Sequence, residues 1–221
     1  GALLNQIGMD GVISERVEVW RWLRANLLPF APISMASGPD GMYPIVWNKD
    51  TREDDAVAAV DAVRDHWERT SPVTVEYLDG ESKNQFSIAY AKNALDDRMW
   101  KTSTLSGKNE KSNAYSRASF KRYGTKEKAE EEAICFYRRA DVDAVMSWWA
   151  RIYAFPIRSV EYTASIEWGW LEAGSTISFS DSRLNITEQI AIVQAVEWSD
   201  QQIVGLRVVW LEDLPRDNRL I

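Results

Sequence analysis

Residues able to do acid–base or nucleophilic chemistry are unevenly supplied in this chain. A single histidine, His66, and a single cysteine, Cys135, stand beside 33 Asp and Glu in 221 residues. A serine or cysteine nucleophile needs a positioned base, and a zinc centre draws mainly on Cys and His. One of each builds neither, and no Walker loop, GxGxxG, HExxH, GxSxG or CxxC spacing occurs. Cys135 lies between Ile134 and Phe136, the setting of a buried, inert thiol. His66 precedes Trp67 late in a predicted amphipathic helix and reads as a surface or helix-C-terminal histidine, with a catalytic base as the alternative. A glycoside hydrolase would need two carboxylates held about 5–9.5 Å apart across a cleft, and the pattern singles out no such pair. These residues single out no catalytic residue, metal ligand or cofactor.

Eleven tryptophans are the more unusual supply. Trp168 and Trp170 alternate in EWGWLE, which predicts one short strand carrying both rings on the same face. Such a pair suits a sugar-stacking platform or an oligomer contact, whereas Trp20, Trp149 and Trp210 fall on apolar faces and read as core. A second candidate contact is basic. Residues 101–128 carry eight Lys and Arg against two Glu, a net of +6, which leaves −13 on the other 193 residues of a chain whose net charge is −7. Arg117, Lys121 and Arg122 are its candidate contact residues, interleaved with Tyr115, Phe120 and Tyr123. The plainest reading is an exposed Ser/Asn/Gly-rich connection followed by one alternating strand. A single-strand stacking platform has no RNA-binding signature beside it, and the overall acidity argues against duplex nucleic acid as a partner. Docking on the acidic face of another copy also fits a chain so divided in charge.

The elements that would position these residues separate by hydrophobic period. Ser14 can cap a helix through ERVEVWRWLRANLL, with Val19, Trp20, Leu23 and Leu27 on one stripe and Pro29 and Pro32 ending it. SGPDG (37–41) is turn chemistry before the short strand MYPIVW. Residues 53–67 predict a second helix, with Val57, Val60, Val63 and Trp67 on or near its buried side. VTVEYL (73–78) and NQFSIAYA (84–91) predict a hairpin across DGESK, followed by a looser polar region to Gly124. KEKAEEEAICFY stays open between helix and buried strand. Asp141 is the predicted N-cap of a helix ending at Phe155-Pro156, its stripe being Val142, Val145, Met146, Trp149, Ile152 and Tyr153. Beyond it period two takes over through IRSVEYTAS, EWGWLE, TISFS, QIAIVQAVEW and IVGLRVVWLE, joined by the turns AGS, DSRLN and SDQQ. In the last strand Val204, Leu206, Val208 and Trp210 share a face and Arg207 takes the other. This predicts an α+β fold, mainly antiparallel, with two to three packed helices and an all-β C-terminal third. The expected division is a small α/β subdomain over 1–83 and a second domain over 84–221. No apolar run reaches the roughly 20 residues of a membrane span, and GALLNQIGMDG lacks the segments of a signal peptide. A soluble protein made in the cytosol is expected.

The order of these elements resembles the hub, or tail-tip, proteins of tailed bacteriophages and related contractile or gene-transfer particles. In that family an N-x-v-x-v-x-Y strand, an s-x-x-x-y-G segment, an Ala-rich helix ending in Pro and an l-x-x-G-d-x-v-x-x-s-d strand pair precede a final hairpin. The matching residues are Asn84 and Tyr90, Tyr123-Gly124, Ala140 to Pro156, and Leu171, Gly174, Phe179 and Asp181, over residues 84–212. Residues 12–47 fit the family's small α/β insert more loosely. Family members are generally longer, with an N-terminal β-domain that has no counterpart in these motifs. The resemblance implies a non-enzymatic, generally trimeric protein of the virion tail tip that joins tail tube to tip or spike. Its partners would be itself and other tail proteins, with a glycan contact open, after synthesis in the host bacterial cytoplasm. A carbohydrate-binding module using Trp168 and Trp170, or a glycan hydrolase, are the alternatives.

Overall fold

A computed structural model describes residues 18–31, 33–38, 41–46, 56–76, 81–93, 95–199 and 203–211. Ser14, the C-terminal tail and most of the SDQQ turn lie outside the described residues. The fold is α+β, and the chain separates into two compact units. One takes the described residues of 33–76 and 156–211, and the other those of 18–31 and 81–155. This partition interleaves, because the chain passes between units near residues 32, 76 and 155, whereas the sequence pattern suggested one boundary at 83/84.

The alternating pattern of the C-terminal third forms the first unit's sheet. Strands β9 (Ile157–Ser165), β10 (Thr176–Asp181), β11 (Ile186–Ser199) and β12 (Ile203–Leu211) pair antiparallel in the order β10-β11-β12-β9. Val204, Leu206, Val208 and Trp210 all turn inward and pack with Val160, Tyr162, Ile177, Phe179 and Val193. Asn185 closes the turn between β10 and β11 in a left-handed conformation at φ 56°, where Asn is tolerated.

Residues 56–67 of the predicted second helix are not helical. The described part is β3 (Ala58–Asp61), which runs parallel beside β10, followed by a turn over 62–66. The Asp61 carboxylate accepts from the backbone N–H of Val63 and Arg64, and that of Asp65 accepts from the Asp61 N–H. Side-chain acceptors of this kind give the backbone an alternative to the helix. Val60 and Trp67 are buried, but Val57 and Val63 are exposed, and His66 lies in the turn rather than on a helix. Strands β4 (Glu68–Arg69) and β5 (Thr74–Glu76) both pair with β9. The predicted hairpin between 73–78 and 84–91 is thereby replaced by two strands in different sheets. A separate hairpin, β1 (Ile33–Gly38) with β2 (Gly41–Val46), is tied on by the Tyr43 hydroxyl, which donates to the Ala173 carbonyl at 2.8 Å.

The second unit carries a three-stranded sheet and the helices. β6 (Gln85–Lys92) is central, antiparallel to β7 (Met99–Ser106) and parallel to β8 (Glu131–Ala133). Helix α3 (Arg139–Tyr153) buries Val142, Val145, Met146, Trp149 and Ile152 as its spacing predicted, and Trp148 as well. Its N-cap is Arg138; Asp141 sits inside the first turn, accepting from Arg138 Nε at 2.9 Å. Trp149 stacks on Phe30 at 5.8 Å and donates its indole N–H to the Pro29 carbonyl. The region before Gly124 is more ordered than expected. It holds β7 and the helix α2 (Ala114–Tyr123), capped by Asn113 and buried through the small residues Ser116, Ala118 and Ser119. That helix replaces the alternating strand predicted for the basic stretch. Helix α1 (Val19–Asn26) has no fully buried residue, and Val19 and Trp20 of its predicted stripe are exposed.

Candidate assembly surface

The motif residues are structural pins. Asn84 is buried; its amide donates to the Gly124 carbonyl at 2.8 Å and to Ser119 Oγ at 3.2 Å, and its Oδ1 accepts from the Lys126 N–H at 3.0 Å. Gly124 has a left-handed φ of 72°, which L side chains adopt at a cost. Two motifs 40 residues apart are therefore one hydrogen-bonded node. In the other unit Asp181 is fully buried. It accepts from the Tyr162 hydroxyl at 2.7 Å and from Arg183 through Nε and a terminal nitrogen, both at 2.9 Å. Burial acts to raise the Asp181 carboxyl, but the hydrogen bonds from Arg183 and Tyr162 outweigh it and hold the group below the usual carboxylate range. Burial first, and then Asp181, push the Tyr162 hydroxyl well above the ordinary phenol range. Neither group is poised for proton transfer near neutrality. Burial likewise raises the Cys135 thiol, as its apolar neighbours predicted. Among the described residues no cluster of three or more His, Cys, Asp or Glu is placed to hold a metal ion.

The tryptophan pair is divided by the local backbone. EWGWLE forms a 3₁₀ turn over Ile166–Trp168 followed by further turn, so the two rings do not share a strand face. The Ser165 hydroxyl caps that turn by accepting from the Glu167 N–H. Trp168 is half-buried and meets Trp67 edge-on at 5.4 Å, within the core. Trp170 is 55% exposed and Ile166 48%. The residue that joins them is Trp198, 64% exposed near the end of β11. A Cβ added to Gly169 would lie 2.3 Å from its Cη2, so the ring rests against the glycine backbone. Trp198 was hidden in the sequence because it continues the period-two series of Val196, opposite the core residues Leu206 and Val204.

Arg117, Lys121 and Arg122 lie on α2, in the unit that does not contain Trp168 and Trp170. Arg117 is half-buried and donates to the Glu110 carbonyl at 2.9 Å. Arg122 covers the Tyr123 ring at 5.2 Å. Lys121 is exposed. The basic surface is thus the last turn of a helix, where cations complement the helix dipole.

No protein-family model matches the chain, and no curated protein matches it. Among solved structures it is similar to a tail protein from Neisseria meningitidis MC58, at 10% identity and TM-score 0.49 over 94% of this chain and 61% of that one. It is also similar to a chain of a native gene transfer agent virion, at 15% identity and TM-score 0.45 over 76% of this chain and 35% of that one. A prophage tail protein from Listeria monocytogenes EGD-e is similar at 9% identity and TM-score 0.43, over 80% and 48%. The chain spans less than two-thirds of the length of each.

Proposed function

We propose that the chain is a non-enzymatic structural component of a phage or phage-like tail tip, a hub piece linking tail tube to tip or spike. It would act through contacts with itself, as a trimer, and with other tail proteins. The observation that carries this reading is the Asn84–Gly124 hydrogen bond, which makes two separated motifs of the hub resemblance a single folding node. Motif residues spent on architecture leave exposed aromatics for contact. Trp170, Trp198 and Ile166 form that surface, in place of the pair Trp168 and Trp170. Exposed apolar patches of this kind mark interaction sites.

The test is made on particles. Virions purified from a producing strain should contain the protein at the tail tip by mass spectrometry and cryo-EM; finding it only in cytosol refutes the reading. Replacing Trp170 and Trp198 together by Ala should leave the fold intact and cost on the order of 2 kcal/mol or more of assembly. The exposed indoles of Trp170 and Trp198 also keep a glycan contact open. Saturable quenching of their fluorescence by host-surface polysaccharide, lost in the double variant, would favour that second reading.

A further inference from the structure

On the outer face of the large sheet, β9, β11 and β12 enclose a groove of about 320 Å³ lined by Thr70, Glu161, Thr163, Glu197, Gly205 and Arg207, among others. Its floor is Gly205, opposite Thr163 on one side and Glu197 on the other. Among the described residues nothing requires glycine there. The backbone is not left-handed, and an added Cβ would meet Glu197 Cβ at 3.4 Å, an ordinary contact. A glycine inside a strand weakens it and often marks the close approach of something from outside.

The charge of the groove says what approaches. Arg207 is already paired with Glu76 and lies 3.8 Å from Glu161, so Glu197 adds a further negative charge at the rim. The same unit, residues 33–76 and 156–212, holds 17 Asp and Glu against 7 Lys and Arg, a net of −10. The other unit is net +3 and carries the basic stretch. Of the basic side chains on α2, Arg117 is held by Glu110 and Arg122 covers Tyr123, while Lys121 is exposed on the last turn.

We propose that the groove over Gly205 receives Lys121 from a second copy of this chain, between Glu161 and Glu197. The contact joins unlike surfaces, so it repeats head to tail and closes into a ring when the rotation allows. The inference rests on the reading above only in taking the partner to be another copy. Sedimentation equilibrium of the purified full chain tests it. Wild-type chain self-associates at low salt and less at high salt, because exposed charges are screened. Glu197→Lys or Lys121→Glu alone each weakens association at least about tenfold, since like charges facing across an interface are costly. The two substitutions in one chain restore it. Gly205→Val, which fills the groove without changing charge, weakens it as well, with circular dichroism confirming the fold of every variant. A wild-type chain monomeric at low salt, or a double variant no stronger than the singles, overturns the proposal. Presence in virions without rescue overturns the groove alone, and rescue without presence in virions overturns the tail reading alone.

Discussion

A buried polar side chain pins each unit, and the two pins work differently. Asn84 ties β6 to the end of α2 with a neutral amide, whereas Asp181 ties β9 and β10 to the following turn with a carboxylate, a phenol and a guanidinium. An amide in the interior needs only its hydrogen bonds matched. A buried carboxylate also needs its charge compensated, and breaking such a pair costs more than breaking a neutral one. The neutral pin is indifferent to pH and the ionised one is not.

Removing each pin measures the contrast. Asp181→Ala should destabilise the protein by about 3 kcal/mol, the low end for a buried pair because the Arg183 side chain is 40% exposed. Urea denaturation at pH 7 reads this directly, and a cost below that of the Asn84 variant would erase the distinction. Asn84→Ala should cost about 2 kcal/mol, by removing the buried amide that the Gly124 carbonyl and the Lys126 N–H pair with.

Acid sharpens the comparison further. The folded Asp181 carboxyl titrates below its unfolded value of about 3.9. Its contribution is therefore complete above that pH and is lost as pH falls through the folded value. Stability followed from pH 6 to pH 2 should fall less steeply in Asp181→Asn than in wild type, while Asn84→Ala keeps the wild-type slope. The smallest effect belongs to Ser119→Ala, about 0.5–1 kcal/mol for one neutral bond at 3.2 Å. A thermal melt with no detectable shift would show that Ser119 is not part of the pin.

The same division explains what was legible in the sequence. The strands after Pro156 and the stripe of α3 could be read because large apolar residues recur at one period. Residues 58–61 could not, since Ala, Val and Asp spacing fits a helix until the Asp61 carboxylate is seen to bind the backbone of the next turn and that of Asp65 to bind back to the Asp61 N–H. Helix α2 escaped because it is buried through Ser and Ala, which leave no hydrophobic signal. Trp168 and Trp170 were expected to share one face, but a 3₁₀ turn sends Trp168 inward and sets the Trp198 ring against Gly169. The fold was thus more legible than the surface, because cores repeat at the period of the backbone and contact patches are assembled from several elements.

The solitary thiol supplies the chain with a built-in clock. Cys135 is 4% exposed, its thiolate is disfavoured by burial, and it sits in the unit that Asn84 pins. A thiol reagent reaches it only when that unit opens, so the rate of modification counts opening events with no other cysteine in the background. Changes confined to the sheet around Asp181 leave that rate untouched unless opening of the two units is coupled, which makes one sulfur atom a gauge of how far the halves of the molecule open together.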